Sequence, residues 1–263
     1  MLNRFFTDQL YLGLAQSAAA GLVAFAVVLL ARSRKVHLES EAAVALVRGL
    51  VQIVAVGSVL VALLRGPQWT SVFLLMAMVL AAAAISAKRA KGIPGSYRIA
   101  AWSISCGAGS VIAVMTCLGV IDTAITALIP VGSMLIANAM NTTGLALNRF
   151  RSDVLAHVGE IETALALGAK PNESIAPYVQ SSFESSLIPA IDSLRSLGIV
   201  WIPGMMAGML VSGSRPIYAA IYQFVVMAMI FASSGLTSLL CTMLVRSHAF
   251  TDAEQLLLRG ESH

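Results

Sequence analysis

Apolar residues run almost unbroken through seven stretches of this chain, Leu10–Ala31, Ala42–Leu64, Thr70–Ala87, Arg98–Val120, Ala124–Leu147, Ile191–Ser212 and Pro216–Val245. Each holds roughly the 20 residues with which an α-helix crosses a hydrocarbon core. Lipid offers no partner to a backbone N–H or C=O, so a spanning segment must bond within itself, and helices are the expected form. The pattern predicts an all-α, polytopic membrane protein with about seven transmembrane helices, organised as a single membrane domain over residues 1–263. The first stretch starts too late and runs too long for a cleaved signal sequence.

One connecting segment differs from the rest. Residues 149–190, between the fifth and sixth stretches, are polar yet helix-patterned. Val154, Leu155, Val158, Ile161 and Leu165 recur at three- and four-residue steps, with Asp153, His157 and Glu160 opposite, which predicts an amphipathic helix over Asp153–Leu167. Ser152 or Asp153 suits its N-cap. Gly168 is placed to stop it, because the residue past a helix end often takes a positive φ. Lys170-Pro171 forbids continuation, and a second helix is expected from Asn172 or Ser174 to about Ser186, with return to the membrane at Ile188-Pro189. Such a helix either lies on lipid or docks on a partner. Its mixed, acidic polar face weighs against anionic lipid.

Charge fixes an expected orientation. With alternate connections on one side, that side holds Arg32, Arg34, Lys35, Lys88, Arg89, Lys91, Arg98, Arg149, Arg151, Lys170, Arg195, Arg246 and Arg259. The opposite side holds only Arg4, Arg65 and Arg215. The positive-inside rule then puts the N-terminus outside, the C-terminus in the cytosol and the 149–190 segment in the cytosol. The net charge of +4 is therefore a topology signal and points to no nucleic acid, in a chain 58% hydrophobic and 11% charged. Cys106, Cys117 and Cys241 lie in spans without C-x-x-C spacing and are expected to be packing residues. The chain has no G-x-x-x-x-G-K-[ST] loop, H-E-x-x-H or G-x-S-x-G, so neither an enzyme nor a self-contained ATPase is expected. His157 with Glu160 shares a helix face, but two ligands are too few for a metal site, and no metal-ligand set is assignable.

Polar groups at membrane depth need a partner or a path. Arg48 and Gln52 fall one turn apart in the second span, and either snorkel or line a pathway. Asn138 and Asn141 share a face of the fifth span, as inter-helix glue or as pathway residues. Asp192, just after Pro189, either caps the sixth span, pairs with Arg48 or Arg195, or receives a hard cation at the cytosolic mouth. Pro203, Gly204 and Gly208 interrupt the sixth span and are candidate hinge residues, with Met205 and Met206 between them as packing residues or soft-metal ligands.

The string from Glu162 through Gly168 and Ala169 to Pro171 resembles the E-A-A-x-x-x-G loop of ABC-transporter permeases, with the spacing from Glu162 to Gly168 matched. Those permeases continue toward Ile-x-Leu-Pro, where Tyr178 and Ser181 stand here. A broader resemblance, to the FetB family of ABC permeases, rests on Ile129-Pro130-Val131-Gly132-Ser133-Met134-Leu135-Ile136-Ala137-Asn138-Ala139-Met140, on Leu187-Ile188-Pro189-Ala190-Ile191-Asp192-Ser193, on Pro203-Gly204-Met205-Met206-Ala207-Gly208, and on Arg48 with Gln52. It implies a permease subunit of an ABC transporter in the bacterial inner membrane, docked through Val158, Ile161, Glu162, Leu165, Gly168 and Ala169 to a separate ATPase that carries the ATP and Mg. It further implies a homodimer of the permease in membrane lipid, no cofactor on this chain, and export of metal ions such as iron. A nucleotide-sugar cargo and a non-transporting scaffold or sensor remain the alternatives.

Overall fold

The computed structural model describes residues 9–33, 39–63, 66–67, 69–90, 92–251 and 255–258. Arg4, Arg34, Lys35, Arg65, Lys91 and Arg259, which carry part of the charge asymmetry, lie outside them. The chain divides into two units, Met1–Gly66 and Pro67–His263. The first is a pair of packed helices, α1 (Gln9–Ser33) and α2 (Glu39–Leu63), with apolar stretches Ala15–Val28 and Ala43–Val59.

The second unit contains α3 (Thr70–Arg89), α4 (Ser96–Cys117), α5 (Ile125–Ala156), α6 (Val158–Ala166), α7 (Pro171–Ser174), α8 (Ala176–Ser196), α9 (Gly204–Val211) and α10 (Pro216–Ser247). No strand occurs among the described residues. α3, α4, α5 and α10 are long and apolar enough to cross a membrane. α10 packs on α4, α5, α8 and α9, and α3 sits against α4 and α5. The outward faces carry Phe73, Met76, Trp102, Ile217, Ile221 and Phe224 exposed, the apolar-outside surface that lipid requires. This is an all-α, multi-pass integral membrane protein.

Two apolar clusters fill the second unit. One gathers Leu75, Val79, Ile104, Leu135, Ile136, Val226 and Ile230 between the spans. The other gathers Ile93, Phe150, Val154, Ile161, Ile175, Val245 and Leu256 at the end that carries α6 and α7. A seam of small polar side chains also runs through the interior: Ser86, Ser103, Thr143, Ser186, Ser233, Ser234, Thr237 and Ser238 are all buried. Within it Ser86 Oγ donates to Met140 O at 2.9 Å, and the hydroxyls of Ser186 and Ser238 meet at 2.6 Å. Small residues let helix backbones approach closely in lipid. At Gly107 a Cβ would stand 2.7 Å from Thr237 Cα, so α4 and α10 touch backbone to backbone there.

Three expectations need correction. The sixth span is not one helix over Ile191–Ser212: α8 ends at Ser196 and α9 starts at Gly204. Between them Gly198 takes φ +75° and its N–H bonds to Trp201 O at 3.1 Å, folding the chain on itself, while Pro203 caps α9 with extended backbone. Second, α5 does not stop before a capped helix at Asp153 but continues to Ala156, because Leu147, Phe150 and Val154 keep one face fully buried. The break comes at His157, where Nδ1 meets Asp153 O at 2.8 Å. Third, Pro189 lies inside α8 and starts no new helix, so Asp192 sits in that helix's last turns and cannot cap a sixth span. The three cysteines are free, with Cys241 buried and Cys106 and Cys117 exposed on α4.

Candidate functional site

The α6–α7 segment is built as a rigid knuckle on the bundle end. Ile161 is 1% exposed and locks α6 onto Phe150 and Val154, with Val158 and Leu165 packed beside it. After α6 the Ala169 N–H bonds to Ala164 O and the Gly168 N–H to Leu165 O, each at 3.0 Å. These paired bonds form a Schellman stop, and they hold Gly168 at φ +90°. Gly168→Ala meets no neighbour but forces a Cβ into left-handed backbone, a cost of about 1 kcal/mol. Faster amide exchange at the end of α6, with the spans unchanged, is the expected result.

Side chains then tie the knuckle down. Arg149 Nε pairs with Asp153 Oδ2 at 3.1 Å, and Ser181 Oγ donates to the same oxygen at 3.0 Å, joining α5 to α8. Arg246 Nε donates to Asn172 Oδ1 at 3.0 Å and joins α10 to α7. His157 stacks on Tyr178 at 5.0 Å, and the Tyr178 hydroxyl donates to Glu160 Oε2 at 3.4 Å. Burial, then the Glu160 carboxylate, push that phenol above its ordinary range. His157 and Glu160 are therefore engaged with Asp153 and Tyr178.

The apolar stripe Val158, Ile161, Leu165 thus faces the protein itself, and the outward face presents Glu162, Ala166, Leu167 and Gly168. Leu167 is 84% exposed at the tip, and sequence reasoning gave it no role because it lies off the stripe. Ala169 is half-buried.

Among the span residues, Asn138 and Asn141 come together in a cavity of about 240 Å³ between α3, α5, α8 and α10. Asn138 Nδ2 donates to Met134 O at 2.8 Å. Arg89, at the end of α3, also lines the cavity, and its Nη1 donates to Asn141 Oδ1 at 3.5 Å. The sequence placed Arg89 only among the topology charges. Asp192 pairs with Arg195 at 3.7 Å, one of its two expected partners, with both side chains largely exposed. Met205 packs on the inter-span core, and the Met206 N–H bonds to buried Gln223 Oε1 at 3.2 Å. Pro203 is buried, whereas Gly204 and Gly208 have open space where a Cβ would stand. Arg48 and Gln52 lie in the first unit, on one face of α2 with Val44, Val47 and Val51. No group of three or more metal-ligating His, Cys, Asp or Glu side chains occurs among the described residues.

Comparison with known proteins gives a consistent picture. The model of a family described as "Uncharacterised protein family (UPF0014)" matches residues 14–250. The chain is 34% identical to the UPF0014 membrane protein STAR2 of Oryza sativa subsp. japonica, over 95% of this chain and 88% of that protein. It is 32% identical to Protein ALUMINUM SENSITIVE 3 of Arabidopsis thaliana, over 96% and 94%. It is 28% identical to the Probable iron export permease protein FetB of Escherichia coli (strain K12), over 92% and 93%. No solved structure matches the chain.

Proposed function

The chain belongs to the UPF0014 family of membrane proteins, and from that premise we propose that it is the membrane-spanning permease subunit of an ABC transporter. A separate ATPase, holding the ATP and Mg, drives it through the α6–α7 knuckle. The observation that carries this reading is the knuckle itself. It is anchored inward through Ile161, stopped by the Schellman turn at Gly168, and presents Glu162 and Leu167 outward. A helix fixed on one face and exposed on the other transmits force in a way that a loose loop does not. The charge asymmetry supports a cytosolic position for it.

In the proposed cycle the ATPases close on ATP and push α6, which abuts α5 and, through α7, α8. The folded break between α8 and α9, with Pro203 and Gly204 at its end and Gly208 beyond, then switches access. Broken helices of this kind are tolerated at membrane depth where they are covered by protein or line a path. A permease of this size works as a homodimer in the inner membrane. The name of the Escherichia coli relative supports metal export, with iron as the first cargo to test.

The test reconstitutes the full chain with its candidate ATPase and measures ATP hydrolysis with and without iron. Glu162→Arg reverses the charge on the outward face and is expected to return hydrolysis to the rate of the ATPase alone, with the chain still folded. Hydrolysis that never depends on this chain removes the permease reading in favour of a scaffold or sensor.

A further inference from the structure

We propose that the cavity between α3, α5, α8 and α10 is an anion site, in which Arg89 holds a carboxylate or phosphate group of the transported cargo. The proposal rests on the permease reading for the word cargo, but the site stands on its own geometry. Its lining brings together Arg89, Asn138, Asn141, Thr142, Ser193 and Ser234, and contains no Asp or Glu.

Three features mark it as built to receive something. Arg89 is exposed at the end of α3, with its stem laid across α5 at a glycine: a Cβ at Gly144 would stand 3.1 Å from Arg89 Cδ, so this close passage depends on residue 144 having no side chain. Once there, it meets no described carboxylate, and its hydrogen bond to Asn141 Oδ1 is long at 3.5 Å. A guanidinium stays charged at any working pH and presents a planar fork of donors that matches a carboxylate or phosphate edge.

Ser234 supplies the independent sign. Its side chain is fully buried and its residue lines this cavity, and its Oγ has no hydrogen-bond partner, as is also true of Thr143, Ser233 and Thr237 away from the cavity. A buried hydroxyl left unpaired is costly, so such groups ordinarily find a partner. A ligand oxygen in the cavity would meet Arg89 directly, and would reach the Ser234 hydroxyl once the side chains covering it shift. The amide nitrogen of Asn141 adds a further donor, since its oxygen already faces Arg89. At about 240 Å³ the space is smaller than the roughly 300 Å³ at which pockets for drug-sized ligands begin. It therefore takes a small anion, or the anionic end of a larger one.

The charge has a consequence for a metal cargo. A bare cation is repelled by Arg89, whereas a metal carried in an anionic complex brings its own oxygens to the fork. Iron export through this cavity would then move a complex, not a free ion.

The test measures binding by the full chain in lipid nanodiscs, without the ATPase, of citrate, inorganic phosphate, ferric citrate and ferrous ion. Saturable binding of citrate or phosphate is expected, weakened about tenfold or more in Arg89→Gln. Arg89→Lys should recover part of it, and Ser234→Ala should weaken it while leaving thermal unfolding equal or raised. The preferred anion separates a carboxylate from a phosphate source. Equal binding by wild type and Arg89→Gln overturns the site, as does binding of ferrous ion alone with neither anion. Arg89-dependent binding in a chain that never stimulates an ATPase keeps the anion site and removes the permease reading. Transport that is indifferent to Arg89→Gln does the reverse.

Discussion

Gly107→Ala is expected to destabilise the span bundle by about 3 kcal/mol or more, the upper part of the range for forcing atoms into a filled interior. The obstacle is backbone, which cannot rotate away as a side-chain tip does. The added methyl would meet Thr237 Cα and N at 2.7 Å, with Thr237 Oγ1 closer still. Relief requires α4 and α10 to separate, and α10 is the helix on which α4, α5, α8 and α9 all pack. Separation also opens the polar seam, where Thr237 already lacks a hydrogen-bond partner. Gly109→Ala is the matched control on the same helix, with nothing within 4 Å of its Cβ. Thermal unfolding in detergent should show a large loss for Gly107→Ala and none for Gly109→Ala. Equal stability of the two variants would mean that α4 and α10 do not meet at residue 107.

The contrast between those glycines also shows what the sequence leaves unsaid. Length and hydropathy locate α3, α4 and α10 within a few residues, and the start of α5, because crossing lipid is a demand on every side chain of a span. The sixth span escaped that reading for a physical reason. Its break carries Ile199, Val200, Trp201 and Ile202, so hydropathy runs on while the backbone does not, and only Gly198 and Pro203 betray the turn. The overrun of α5 was legible in the spacing of Leu147, Phe150 and Val154 but was masked by Arg149, Arg151 and Asp153 between them. Gly168 was readable as a helix stop because positive φ is a local demand. Arg89 was not readable as a cavity residue, since its course across α5 depends on Gly144, a position far along the chain.

Ile161→Asp should detach the knuckle while leaving the bundle intact, and Leu167→Asp should leave both in place. Ile161 is 1% exposed among Phe150, Val154 and Ile175, so a carboxylate there has no partner and must either be protonated or leave. Burying an unpaired charge costs several kcal/mol, more than a nine-residue helix held by one apolar face can offset. The variant is expected to lose amide protection across residues 158–169 and to become open to protease there. The spans, whose own cluster is built around Leu135 and Val226, should keep theirs. Leu167 is 84% exposed, and an aspartate in its place faces solvent, so folding and protection should match wild type. Both variants should nevertheless abolish chain-dependent ATP hydrolysis, the first by losing the lever and the second by spoiling its tip. Loss in Ile161→Asp with full retention in Leu167→Asp would place the docking surface on another part of the knuckle, with Glu162 as the next position to probe.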